Sequence, residues 1–171
     1  MTNSRIETEP YKLQLRRFSL GEIFELKPGA YHSLADIPSG KVPVISCGDE
    51  DNGLCGYFKI DAHIYDHKLT IAFNGATLSA KYHPYKFAAK DDVAVCFPKK
   101  PLRLTTLLFI QIMLRREQWR FSYYRKCFRE KLERVTVPLP SKDGQIDEPG
   151  IEAVMKSSPY WDFLKKRLRS S

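Results

Sequence analysis

The chain has 171 residues, 43% of them hydrophobic and 28% charged, enough for one domain with a real core and outside the disordered and fibrous classes. No apolar run approaches a membrane span, and residues 1–10 lack the apolar centre of a signal peptide, so a cytoplasmic protein with reduced thiols and no membrane partner is expected. The formal net charge of +8 favours a polyanionic partner without naming one.

Residues 1–10 read as a loose tail and 11–171 as a single domain. Residues 11–15 alternate like an edge strand. Ser19, with Glu22 three positions on, predicts a capping box opening a short helix that ends at Lys27-Pro28-Gly29. Residues 31–41, with Pro38 and Gly40, read as a loop. Strands are expected over 42–46 and 56–60, on either side of a turn at 48–53. Residues 69–73 form an apolar strand stopped by Asn74-Gly75. An aromatic, basic run around Pro84 follows, then a buried strand at 93–97 stopped by Pro98. The best helix covers 105–119; it is apolar nearly all round and turns basic at Arg115-Arg116, as suits a helix C-terminus. A helical turn is expected at 127–132. Residues 135–140 form a strand that must lie at an edge, since Pro138 has no N–H for a ladder. A turn at 141–144 and closing helices over 151–155 and 160–168 complete the chain. Strands first and helices later predict an α+β fold with a curved mixed or antiparallel sheet and packed helices.

Most of the simple chemical signals have bland readings. Cys47, Cys55, Cys96 and Cys127 include no Cys-x-x-Cys pair, and Cys96 lies inside an apolar run, so no zinc site is expected. Asp49-Glu50-Asp51-Asn52-Gly53 lacks calcium-loop spacing and reads as a solvated turn. His63 and His67 stand four apart without the metalloprotease glutamate and read as surface loop. Glu25-Leu26-Lys27 and Asp66-His67-Lys68 each match the acid-x-Lys half of a metal-dependent nuclease site, which keeps a small nuclease open as an alternative. The chain has no Gly-rich nucleotide turn after its first strand and no Asn-Pro-Pro-aromatic tetrad, so methyl transfer and a cofactor are not expected. A basic, aromatic RNA-binding module is the other alternative.

The most informative stretch is 69–99. Between its first and last strands, Asn74, Thr77, Ser79, Lys81, Tyr82, His83, Tyr85 and Lys86 mix donors, acceptors, cations and rings suited to phosphates and base edges. Cations are concentrated over 99–134, where only Glu117, Glu130 and Glu133 oppose them.

A set of short motifs in order carries a resemblance. Phe18-Ser19-Leu20-Gly21-Glu22-Ile23-Phe24-Glu25-Leu26 is followed by Gly29. Val42-Pro43-Val44-Ile45-Ser46, Asn52-Gly53 and Gly56-Tyr57-Phe58 come next. Then stand Phe73-Asn74-Gly75, Pro84-Tyr85-Lys86-Phe87, Asp92-Val93-Ala94-Val95, and a Val-Pro-Leu-Pro exit before residue 141. In this order and spacing, over about residues 18–168, the chain resembles the target recognition domain of type I restriction-modification DNA specificity subunits and of related type II enzymes. The resemblance implies a double-stranded DNA reader that serves one half-site, with methyltransferase and restriction subunits as partners and no catalysis of its own. By the same resemblance Asn74, Thr77, Ser79, Lys81, Tyr82 and His83 are candidates for base reading, and Lys86, Arg120, Tyr123, Arg125 and Lys126 for phosphate contact. His32 and Lys41 are candidates from the 31–41 loop. Specificity subunits normally carry two recognition domains joined by long helices. One domain with closing segments interrupted at Pro159 implies a fragment, a half-subunit that pairs with a second recognition domain, or a module of a larger enzyme.

Overall fold

A computed structural model describes residues 13–121 and 129–169. The expected tail, residues 1–10, lies outside the described residues. The chain opens with β1 (Leu15–Ser19), whose side chains are exposed until Phe18 turns into the core. Ser19 then caps α1 (Leu20–Ile23) with the full reciprocal box. Its hydroxyl accepts from the Glu22 N–H at 3.2 Å, and its own N–H donates to the Glu22 carboxylate at 2.7 Å. That backbone bond holds the Glu22 carboxyl below its usual range. The helix lasts one turn. Phe24 resumes extended backbone and β2 (Phe24–Pro28) follows, where the sequence suggested continued helix. The alternation Phe24 in, Glu25 out, Leu26 in, Lys27 out is the strand period winning over the helical one.

The remaining elements are β3 (Ser39–Ile45), β4 (Leu54–Phe58), β5 (Lys68–Ala72), β6 (Ala80–His83), β7 (Ala88–Ala89), β8 (Val93–Pro98), α2 (Leu104–Glu117), α3 (Arg129–Leu132), β9 (Thr136–Lys142), β10 (Gln145–Ile146), α4 (Glu148–Ser157) and α5 (Trp161–Arg169). The expected α+β class holds. The strands divide among three short sheets, with orders β1-β9-β10, β2-β8-β5-β6 and β4-β3-β7. All pairings are antiparallel except β3 with β7. At Pro138 strand β9 pairs only with β1, because β10 reaches no further than Ser141 and Lys142. The missing proline N–H therefore leaves no ladder bond broken.

The four-stranded sheet is the middle layer. Leu69 and Ile71 of β5 and Ala94 and Cys96 of β8 face one core, shared with Leu107, Ile110 and Leu114 of α2 and Val137 and Leu139 of β9. Ala72, Val93 and Val95 face the other way, onto Ile45, Phe87 and Ala89 of the small sheet and its connections. Helix α2 is buried along one side only; Ile112 is 49% exposed. Its N-terminus lacks a cap from its own Arg103 side chain. Instead Glu148, the first residue of α4, accepts from the Arg103 N–H and the Thr106 hydroxyl, each at 2.7 Å. Among the described residues, no helix is long and apolar enough to cross a membrane.

Candidate nucleic-acid interface

Strand register gathers several loops at one end of the molecule. The pairs Ile45 with Leu54, Ile71 with Ala80 and Ala72 with Val93 put connections 46–53, 73–79 and 90–92 side by side. The Ser46 hydroxyl donates to Asp92 at 2.9 Å, the Ala76 N–H to the Cys47 carbonyl at 3.2 Å, and the Phe73 N–H to the Asp92 carbonyl at 3.3 Å. His32 reaches the same end by its 2.6 Å contact with Asp91. The C-terminal end of α2 closes the group, with the Gln118 amide 3.5 Å from the Thr77 carbonyl.

The backbone at this end is unusual. Asp51, Asn52 and Gly53 adopt φ of 46°, 55° and 79°, a left-handed run that Asn and Gly tolerate best. Leu78 has φ 62° although it is fully buried. A β-carbon does not favour that conformation. Burial of the leucine side chain, about 1.5–3 kcal/mol, offsets the strain. Gly75, at φ 58°, lies so close to Cys47 that a β-carbon there would stand 2.5 Å from the sulfur.

Beneath these loops, the alternation of β6 sorts its side chains. Ala80 and Tyr82 face the α2 side. Lys81 and His83 point between the middle and small sheets. Lys81 is 6% exposed and His83 fully buried. His83 approaches Thr70 Oγ1 through Nε2 at 2.9 Å and the Asn52 amide through Nδ1 at 3.3 Å, and its ring packs on Phe87. An amide donor at Nδ1 fits a neutral ring protonated at Nε2. Burial, with the Lys81 charge adding to it, pushes the His83 pKa down to about 3, so the ring is uncharged at neutral pH. The Lys81 ammonium donates to the Gly48 carbonyl at 2.5 Å and to Ser79 Oγ at 2.6 Å, and lies 3.7 Å from Asp49. Burial lowers its pKa against the pull of Asp49. Ser79, 6% exposed, donates to Asp49 at 2.7 Å. That bond, with the charges of Lys81 and Arg115, holds the Asp49 carboxyl below its usual range.

The expected base readers therefore separate into three groups. Asn74 is exposed and Thr77 half-exposed at the loop end. Ser79, Lys81 and His83 are buried and bonded inside, because strand alternation turns them toward the small sheet. Tyr82 is half-buried against the core, and its N–H donates to the Gln111 side chain of α2. Among the expected backbone contacts, Arg120 is exposed beside the loops and pairs with Glu117 at 2.7 Å. Lys86 is exposed in the connection after β6, and Lys41 on the outer half of β3. Tyr123, Arg125 and Lys126 lie outside the described residues. The side chain of His32 is 91% exposed.

The sequence reading assigns Arg115 and Arg116 to the basic helix end and counts neither them nor Trp119 among the site residues; both arginines are exposed at the end of α2, and Trp119 is 82% exposed. The signal was present in the basic helix end beside an aromatic. Of the nuclease half-motifs, Glu25 and Lys27 pair with each other at 3.2 Å on β2, and Asp66 contacts His67 at 2.6 Å. Among the described residues no group of three or more His, Cys, Asp or Glu could hold a metal ion.

Comparison with known proteins bears on the family and the fold. The chain is 28% identical over 146 residues to the specificity subunit S.BcgI of a type II restriction enzyme from Heyndrickxia coagulans, covering 84% of this chain and 43% of that protein. It shares its fold with the S subunit of the type I restriction-modification system from M. genitalium (TM-score 0.65, 17% identity, 86% of this chain and 39% of that one). It is also similar to the HsdS subunit from Thermoanaerobacter tengcongensis (TM-score 0.55, 12% identity, 98% and 41%). The chain spans less than half the length of each of these relatives. The sequence profile of the type I restriction modification DNA specificity domain matches residues 14–148, most of the chain, and the protein belongs to that family.

Proposed function

We propose that this chain is a target recognition module that reads one half-site of double-stranded DNA in a cytoplasmic restriction-modification system. Methyl transfer and cleavage belong to partner methyltransferase and restriction subunits, and a second recognition domain supplies the other half-site by pairing. The observation that carries this reading is the convergence, at one loop end, of exposed polar side chains over a bonded underside. Asn74 and Thr77 offer the donors and acceptors that base edges require. Arg115, Arg116 and Arg120 stand beside them for phosphate. The exposed acids Glu50 and Asp51 repel phosphate but accept from a cytosine amino group, so the 46–53 turn suits the groove rather than the backbone. The exposed ring of Trp119 is available for apolar contact with a base or sugar.

Selection from duplexes with randomised positions, using the purified chain and competing structured RNA, tests the reading. A short consensus should emerge and survive the RNA. Enrichment of no sequence, or displacement of duplex by RNA at equal concentration, would sink it in favour of a general polyanion or RNA binder.

A further inference from the structure

Lys81 is a cation placed where a cation is costly. It sits between two sheets, with its ammonium drawn toward one carbonyl and one hydroxyl, and an ion pair in such a setting stabilises a fold poorly compared with apolar packing. Its position has another consequence. Its stem passes under Gly53, where a β-carbon would lie 3.3 Å from Lys81 Cδ. Its head meets Gly48 and Asp49 from one loop and Ser79 from the other. Ser79 completes the triangle by donating to Asp49. The same two loops are laced again at Ala76 with Cys47 and at Gly75 against Cys47.

We propose that Lys81, with Ser79 and Asp49, is a positioning clamp that makes the 46–53 and 73–79 loops one rigid surface, so that Lys81 governs which DNA sequence is preferred without touching DNA. The inference rests on the reading of this end as the DNA-facing end. The geometry favours clamp over contact: the ammonium donates to a main-chain oxygen of one loop and a side-chain oxygen of the other, and the residue is 6% exposed.

The test uses Lys81→Met, which keeps the stem and removes the ammonium, and Lys81→Arg, which keeps a cation. Three quantities are measured on the folded chain: affinity for the duplex selected by the wild type, affinity for a scrambled duplex, and amide exchange over 46–53 and 73–79. Lys81→Met should lower the ratio of selected to scrambled affinity about tenfold or more. Scrambled affinity and the salt slope should stay unchanged, and exchange should quicken at Ala76 and Gly53 while the central strands keep their protection. Lys81→Arg should restore most of the ratio. Should Lys81→Met weaken both duplexes equally and flatten the salt slope by about one unit, Lys81 touches phosphate and the clamp is wrong. Unchanged exchange in both loops overturns the clamp whatever the DNA result. Quickened exchange in a protein whose wild type prefers no duplex would leave the clamp in place and overturn the DNA reading alone. If Lys81→Met does not fold, Ser79→Ala, which removes only the hydroxyl, is measured in the same way and must move the ratio in the same direction.

Discussion

Strand β6 and the residue before it show how far single letters carry. Lys81, His83 and Ser79 stand in a polar, basic run beside an Asn-Gly turn, which by composition reads as a binding surface. Their burial depends on strand alternation and on a second sheet built from residues 39–45, 54–58 and 88–89, and neither the facing sheet nor its distance can be read from residues 79–83. Asn74 is exposed and Thr77 half-exposed in the turn itself, and that exposure was legible from the Asn-Gly signal, whereas the burial of Leu78 in the same connection was not. His83 provides a direct check. Its folded pKa is about 3, while an unfolded histidine titrates near 6.5. Below pH 6.5 the unfolded chain takes up a proton that the folded chain refuses, so this contribution to stability is present above pH 6.5 and is lost as pH falls toward 3. Between pH 7 and pH 5 the loss should be about 2 kcal/mol. In His83→Gln that part of the slope should vanish in urea titrations at the two pH values. Equal slopes would mean that the imidazole is charged or exposed in the folded protein.

At the level of elements, what was legible was local. The Ser19–Glu22 box lies within four residues and its bonds formed as the spacing required. The apolar strands at β5 and β8 and the helix α2 are also written in contiguous runs. Strand β2 was hidden because the same capped start suits a helix of any length, and only pairing with β8, some seventy residues later in the chain, extends the backbone after one turn. Strand β7 is two alanines in parallel with β3; so short a segment carries no period of its own. The cap on α2 is likewise non-local, supplied by Glu148 from the start of α4. Glu148→Ala removes the acceptor for the Arg103 N–H and the Thr106 hydroxyl, and should cost about 1–2 kcal/mol in chemical denaturation. Glu148→Gln, which keeps an acceptor, should cost less. Equal losses would assign the effect to charge near the helix dipole rather than to the two bonds.

For the whole molecule, charge and shape lead to one measurable quantity. With about four to six phosphates neutralised by the basic residues around the loop end, log affinity should fall against log salt with a slope of roughly −4 to −5. Arg116→Ala and Arg120→Ala should each flatten it by about one unit. A slope near zero would mean that the +8 charge does not act on a polyanion. The layered order was only partly legible, since composition and strand count predict α+β but not which sheet covers which face. One further property follows from how the loops are held. The lacing under 46–53 and 73–79 reaches the loops largely through main-chain oxygens, at Gly48, Cys47 and Thr77. A carbonyl is the same group whatever side chain stands beside it. Exposed positions such as Glu50 and Asn74 are thus free to change their chemistry while the scaffold beneath keeps its shape. Under the proposed DNA-reading role, such a surface would exchange one vocabulary of bases for another by point substitution, with no rebuilding of the fold.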